Sequence, residues 1–171
     1  RLLDHWRGGS GEHLNLDMGA FDPTGAVRKG IVQTAIGQAA TAVAGKKCGA
    51  TSSAVYTDSI KPTNTITPMI LNYTLRFDCR FQAMKHCVCK DECHKISVIG
   101  SCFFKADDTT DFDQGKTFPL PGIGRVHDEF INKCNPGHKD FHISALATQH
   151  FSERRACDGS PHDPGDGVIG F

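Results

Sequence analysis

The chain has 171 residues, with 19 basic and 19 acidic side chains that leave no net charge at neutral pH. Its hydrophobic content of 39% and mean hydropathy of −0.31 are ordinary for a globular chain and argue against a disordered or fibrous protein. No apolar run is long enough for a membrane-spanning helix, and the balanced charge gives no field that would attract nucleic acid. We therefore expect a single domain, residues 1–171, with no nucleic-acid partner and no transmembrane segment.

The start of the chain and its cysteine content indicate the cellular compartment in which the protein acts. Residues 1–6 lack the regions of a signal peptide, and no initiator methionine is present, so we expect a mature secreted chain or a domain of a larger protein. The eight cysteines are an even number, which suits disulfides formed in an oxidising compartment. The hypothesis is a secreted or periplasm-acting protein.

One helix is predicted near the start of the chain, over about residues 27–44. Its apolar residues recur at spacings of three and four, and Gly45 follows the last of them. Small residues keep this face narrow, which favours close packing on a sheet. The apolar positions are Val27, Ile31, Ala35, Ile36, Ala39, Ala40 and Val43.

Strands are predicted later in the chain, where the apolar period changes to two. Residues 73–81 and 96–104 alternate apolar and polar side chains, and segments 65–70 and 141–146 are shorter candidates. A helix followed by strands, without regular alternation, predicts an α+β fold with an antiparallel sheet, stapled by disulfides. Within the single domain we expect a mainly helical part (1–50), a β-rich part carrying the site (51–150) and an irregular tail (151–171).

A cysteine cluster lies in the polar segment 85–94, which is predicted to be a hairpin loop between the two best strands. Cys87, Cys89 and Cys93 could bind zinc, but their spacing matches no zinc ribbon or knuckle. Disulfides are the favoured interpretation, although eight cysteines allow 105 pairings. The available partners are Cys48, Cys79, Cys102, Cys134 and Cys157.

Four aspartates crowd into residues 107–113, where the second strong strand ends. Crowded carboxylates bind divalent cations such as Mg²⁺ or Ca²⁺ and supply acid/base groups. An arginine and a histidine follow, and these side chains can hold phosphate and move a proton. The candidate catalytic residues are Asp108, Asp111, Arg125 and His127, and the candidate metal ligands are Asp108, Asp111 and Asp113.

Other interpretations stay open. The aspartates could form a solvated turn or hold a structural calcium, although they do not fit the EF-hand spacing. Cys134 with His142 could form the nucleophilic pair of a peptidoglycan amidase or peptidase. A different class of protein, a non-catalytic disulfide-rich binding module, would use none of these residues chemically.

The segment Asp108-Thr109-Thr110-Asp111-Phe112, followed by Arg125, resembles the D-x-Y-D-F…H-R region of colicin M-like bacteriocins. The resemblance implies a cation-dependent hydrolase that cleaves the lipid-linked peptidoglycan precursor at its pyrophosphate, in the bacterial envelope. Asp108 and Asp111 match the acidic positions and Arg125 the basic one, whereas Thr110 replaces an aromatic residue and His127 is our substitute for a missing histidine. More loosely, the chain resembles the C-terminal toxin domain of a polymorphic or type VI secreted effector, which implies a cognate immunity protein.

Overall fold

One helix and seven strands make up the regular structure of the described chain. The computed structural model describes residues 5, 8–64, 70, 72–88, 92–110, 117–120, 124–127, 133, 139 and 141–161, and only the backbone of 110, 118–120 and 125–127. A short 3-10 turn, Met18–Ala20, precedes helix α1, Ala26–Ala44. The strands are β1 Leu14–Asn15, β2 Thr51–Ile60, β3 Thr74–Val88, β4 Glu92–Thr110, β5 Thr117–Leu120, β6 Gly124–His127 and β7 Phe141–Arg155.

Five of these strands form one sheet, in the order β1-β7-β4-β3-β2. The sheet is mostly antiparallel, and the exception is β1, which pairs parallel with β7. Strands β5 and β6 form a separate antiparallel pair. With α1 packed on the five-stranded sheet, the predicted α+β fold is confirmed.

Helix α1 lies where its spacing pattern predicts, and its apolar face is buried. Ala35, Ala40 and Val43 have no exposed surface, because small side chains let the helix backbone approach the strands closely. The sheet residues that complete this core alternate along β3 and β4. They are Phe77, Cys79, Phe81 and Ala83 on β3, and Ile96, Val98, Cys102 and Phe104 on β4.

The chain divides into two compact units, and the long strands β3, β4 and β7 run through both. The first unit comprises residues 1–25, 59–76 and 105–146, and the second comprises 26–58, 77–104 and 147–171. In the first unit the rings of Phe21 and Tyr73 meet edge to face, 5.3 Å apart. The single-domain expectation stays a prediction. No helix in the described part of the chain has the length and apolarity needed to cross a bilayer.

Three disulfides, all in the second unit, confirm the predicted stapling. Cys79–Cys102 links β3 to β4 and is wholly buried. Cys48–Cys87 ties the segment after α1 to the end of β3, and Cys93–Cys157 ties the start of β4 to the residues after β7. Such bonds are typical of an oxidising compartment. The remaining cysteines, Cys89 and Cys134, lie outside the described residues.

Several element boundaries differ from the sequence predictions. Most of the predicted loop 85–94 is strand, because β3 continues to Val88 and β4 begins at Glu92. Strand β7 extends to Arg155, five residues into the segment predicted to be an irregular tail. Strand β2 was not predicted at all, and the candidate strand 65–70 lies largely outside the described residues.

Candidate functional site

The predicted catalytic residues are only partly described. Asp108 lies near the end of β4, and its Oδ1 accepts a hydrogen bond of 2.8 Å from the backbone N–H of Thr109. Arg125 and His127 belong to β6. Asp111 and Asp113 lie outside the described residues, as do the side chains of Arg125 and His127. The predicted site and its cation therefore stay predictions.

Asp107, next to Asp108, is shared between two basic side chains. Its Oδ2 lies 3.1 Å from Nη1 of Arg76, and its Oδ1 lies 3.3 Å from Nζ of Lys105. Two cations and one carboxylate leave this group with one positive charge. All three side chains are partly or largely exposed, so an anionic ligand can reach the two cations.

A second group of polar side chains lies where β1 pairs with β7 in the first unit. The register sets Leu14 opposite Ile143 and Asn15 opposite Ser144. The residue before Leu14 is His13, and the residue before Ile143 is His142. Because parallel neighbouring strands run about 4.8 Å apart, this register places the two histidines at adjacent positions.

Hydrogen bonds fix three of these four side chains on one face of the sheet. Ser144 Oγ donates to Oδ1 of Asn15 at 3.0 Å, and it also lies 2.7 Å from Nε2 of His13. A hydroxyl has a single proton, so His13 supplies its Nε2 proton to the second bond. In the neutral ring, Nδ1 of His13 is then the basic nitrogen. Ser144 is 6% exposed, whereas His13 is exposed.

The fourth side chain, that of His142, is oriented by a hydrogen bond with a residue of β4. Its Nδ1 lies 3.0 Å from Oγ1 of Thr109. His142 and Ser144 are two residues apart on β7, so they face the same side of the sheet. The ring is exposed, and Nε2 makes no hydrogen bond to any other described residue. A ligand on this face can therefore meet both imidazole rings.

A third histidine of the first unit, His5, makes structural contacts. His5 lies 3.0 Å from the carbonyl oxygen of Glu12 through Nε2, and its ring packs edge to face on Phe141 with centroids 4.5 Å apart. Within the described ranges, no group of three or more His, Cys, Asp or Glu side chains is arranged to hold a metal ion. The described chemistry of this face is that of two imidazoles and the hydroxyls beside them.

His142 is one of the residues predicted from the sequence, whereas its partners in this group are not. The missed signal is a repeated pattern, His-apolar-polar-apolar, at His13-Leu14-Asn15-Leu16 and at His142-Ile143-Ser144-Ala145. In a strand this pattern places the histidine and the polar residue on one face. Cys134, the predicted nucleophilic partner of His142, lies outside the described residues, so that pairing stays a prediction.

Comparisons with protein-family models, with curated proteins and with solved structures find no match to this chain. On the described face of the first unit lie two exposed imidazoles, the buried Ser144 hydroxyl beneath them and two partly or largely exposed cations. Imidazole is the side chain that most readily takes up and releases a proton near neutral pH. This combination is suited to acid–base chemistry on an anionic substrate.

Proposed function

We propose that the chain is a secreted hydrolase of phosphate esters, in which His13 and His142 act as the acid–base pair. The observation that carries the proposal is the parallel register of β1 and β7, which sets the two histidines at adjacent positions on one exposed face. The three disulfides support the extracellular setting. We name this group of residues, His13, Asn15, Thr109, His142 and Ser144, the histidine-pair site.

The reaction needs one proton acceptor and one proton donor. His13 Nδ1 takes a proton from a water molecule as the water oxygen bonds to phosphorus. The bond from phosphorus to the leaving oxygen breaks, and that oxygen receives a proton from Nε2 of His142 in its imidazolium form. Water is thus added across one P–O bond, and proton exchange with solvent restores both rings. General acid–base catalysis of this type contributes about 10²–10⁴-fold.

In the proposed reaction, the two cations beside the histidine-pair site bind the negatively charged phosphate of the substrate. Thr109, Asp107 and Lys105 are alternate residues of β4, so they face the same side, with about 6.6 Å between successive members. Since Thr109 contacts His142, Lys105 and Arg76 lie along the same face as the imidazoles. Both can exchange the carboxylate of Asp107 for phosphate oxygens, and Arg76 can do so with two parallel hydrogen bonds.

The proposal keeps the substrate class that the sequence predicts and changes which residues move protons. Under the resemblance to colicin M-like bacteriocins, the substrate is the lipid-linked peptidoglycan precursor of the bacterial envelope, and a cognate immunity protein is a further proposed partner. A divalent cation held by Asp108, Asp111 and Asp113 would polarise the phosphate oxygens. Asp108 and Thr109 are successive residues of β4 and therefore face opposite sides of the sheet, so the predicted cation is a proposal separate from the histidine-pair site.

The proposal is tested with two histidine variants and a matched control. His13→Asn and His142→Asn remove one acid–base group each, whereas His150→Asn removes an exposed histidine of β7 that lies in the second unit. Each protein is assayed on bis(4-nitrophenyl) phosphate and on the lipid-linked peptidoglycan precursor, with and without EDTA. In parallel, each is expressed in a Gram-negative host with and without a periplasmic signal sequence.

We expect both site variants to lose at least about 100-fold in kcat/KM and to keep the melting temperature of the parent. His150→Asn keeps full activity. A bell-shaped pH profile that loses one limb in each site variant identifies base and acid. Activity that persists in EDTA assigns catalysis to the histidine pair alone. Loss of activity in EDTA shows that the reaction also requires the predicted divalent cation. If the parent hydrolyses neither substrate, the enzyme proposal is wrong and the binding module takes its place.

A further inference from the structure

A small cavity opens on the sheet of the second unit, on the face that α1 does not cover. Its volume is about 270 Å³, and β3, β4 and β7 each contribute to its wall. On β3 and β4 the lining residues alternate with buried core residues, which places them on the open face of the sheet, and Thr148 of β7 is exposed. They are Asp78 and Arg80 of β3, Ser101 and Phe103 of β4, and Thr148 of β7.

The charged part of the wall is an ion pair that can form further hydrogen bonds. Arg80 Nε lies 3.3 Å from Oδ1 of Asp78, and Nη2 lies 3.4 Å from Oδ2. These contacts are long, and each carboxylate oxygen keeps a second lone pair while the guanidinium keeps further N–H groups. The pair therefore offers an acceptor and a donor side by side. Hydrogen bonding to Asp78 also raises the pKa of Arg80, so the guanidinium stays charged.

The rest of the wall is one aromatic ring and two hydroxyl groups. Phe103 is 44% exposed, so part of its ring is open to a ligand. Neither the Ser101 hydroxyl nor the Thr148 hydroxyl is hydrogen-bonded to another residue within the described ranges. Each hydroxyl can both donate and accept. An apolar ring thus lies beside groups that recognise hydroxyls.

Charge and polarity restrict the ligand. A phosphate or carboxylate would meet Asp78, and a cation would meet Arg80. A purely apolar ligand would strip water from both charges without replacing its hydrogen bonds. A neutral sugar ring is repelled by neither charge and replaces the lost water. Its C–H face packs on an aromatic ring, while its neighbouring hydroxyls form hydrogen bonds to a carboxylate and a guanidinium. Few other neutral ligands combine an apolar face with several hydroxyl groups.

We propose that this cavity binds one ring of a neutral saccharide. Phe103 supplies the stacking surface, Asp78 and Arg80 bond two neighbouring hydroxyls, and Ser101 and Thr148 contact the ring edge. The proposal is independent of the histidine-pair site, since none of its residues belongs to the cavity. It holds or fails whether or not the chain hydrolyses phosphate esters.

The test measures saccharide binding to the folded chain by NMR chemical-shift titration. The probes are cellotriose, chitotriose and mannotriose, each up to about 10 mM, which reaches the weak affinities of single-ring sites, with adenosine as a neutral aromatic comparison. Phe103→Ala and Asp78→Asn alter the cavity. Ile99→Ala is the matched control, because Ile99 is exposed on the same face of β4 but does not line the cavity.

We expect at least one trisaccharide to bind and to shift resonances of Ser101 and Thr148. Phe103→Ala should weaken that binding at least tenfold, Asp78→Asn should weaken it measurably, and Ile99→Ala should leave it unchanged. All three variants should retain the melting temperature of the parent. The proposal is overturned if no trisaccharide binds, if Phe103→Ala binds as tightly as the parent, or if adenosine binds and the sugars do not.

Discussion

The hydroxyl of Ser144 donates a 3.0 Å hydrogen bond to Oδ1 of Asn15, across the parallel pairing of β7 with β1. Because its proton is used there, the same hydroxyl accepts from Nε2 of His13, 2.7 Å away. Ser144 is thus the residue that determines which nitrogen of His13 is basic. It is a positioning residue in the proposed reaction, since it acts on substrate only through the imidazole.

Replacing Ser144 with alanine tests this relationship. We expect kcat to fall about 10–100-fold with little change in KM, because a misplaced base loses its alignment while phosphate contacts remain. The melting temperature should fall only slightly, as the lost hydrogen bonds cost about 1 kcal/mol and both partners can bond water instead. Ser152→Ala, an exposed serine of β7, is the control. Full activity in Ser144→Ala would remove the positioning role.

The helix and the two central strands could be predicted from the sequence because each follows one period. Residues 27–44 keep the spacing of a single helical face, and 73–81 alternate as a half-buried strand does. Strand β2 was not predicted because half of its ten residues are serine or threonine. It is fixed instead by pairing beside β3 and by the packing of Tyr56 on Phe77, with ring centroids 5.1 Å apart.

The repeated His-apolar-polar-apolar pattern indicates that each histidine shares a face with its polar neighbour, but it could not predict that His13 and His142 lie side by side, because the two are far apart along the chain. Each histidine alone is unremarkable. The pair exists through the register of a two-residue strand, and periodicity carries no information about which strands pair or in which direction. The same limit applies to disulfides, since Cys93 and Cys157 are 64 positions apart along the chain.

The disulfides predict the thiol content and the order of reduction. The unreduced, denatured protein should carry no more than two free thiols, from Cys89 and Cys134. On addition of a mild reductant, Cys48–Cys87 and Cys93–Cys157 should open before Cys79–Cys102, because both cysteines of the last pair are fully buried. Alkylation followed by mass spectrometry measures both quantities. Six free thiols at the start would contradict the pairing, and early reduction of Cys79–Cys102 would contradict its burial.

Gly100 of β4 should tolerate no side chain. A Cβ atom there would meet the carbonyl oxygen of Arg80 and would stand 2.7 Å from Cζ of Phe151. Gly100→Ala should therefore lower the free energy of unfolding by about 2–3 kcal/mol, the cost of overpacking a close contact. Gly30→Ala in α1 is the contrasting variant, since nothing lies within 4 Å of its Cβ.

Chemical denaturation measures both glycine variants. Gly30→Ala should raise stability by about 0.5–1 kcal/mol, because alanine loses less backbone entropy in a helix than glycine does. If Gly100→Ala proves as stable as the parent, strands β3 and β4 do not approach as closely at this point as the structure has them.

Lys85 should stabilise the carboxyl end of α1. Its Nζ donates hydrogen bonds to the carbonyl oxygens of Ala44, at 2.6 Å, and of Lys46, at 3.0 Å. Carbonyl groups in the last turn of a helix have no partner within the helix, and a cation there also meets the negative end of the helix dipole. Lys85→Met keeps most of the side-chain volume but removes these bonds, so the free energy of unfolding should fall by about 2 kcal/mol. Lys47→Met, at an exposed position nearby, should change it little, and equal losses in the two variants would show that Lys85 acts through charge alone.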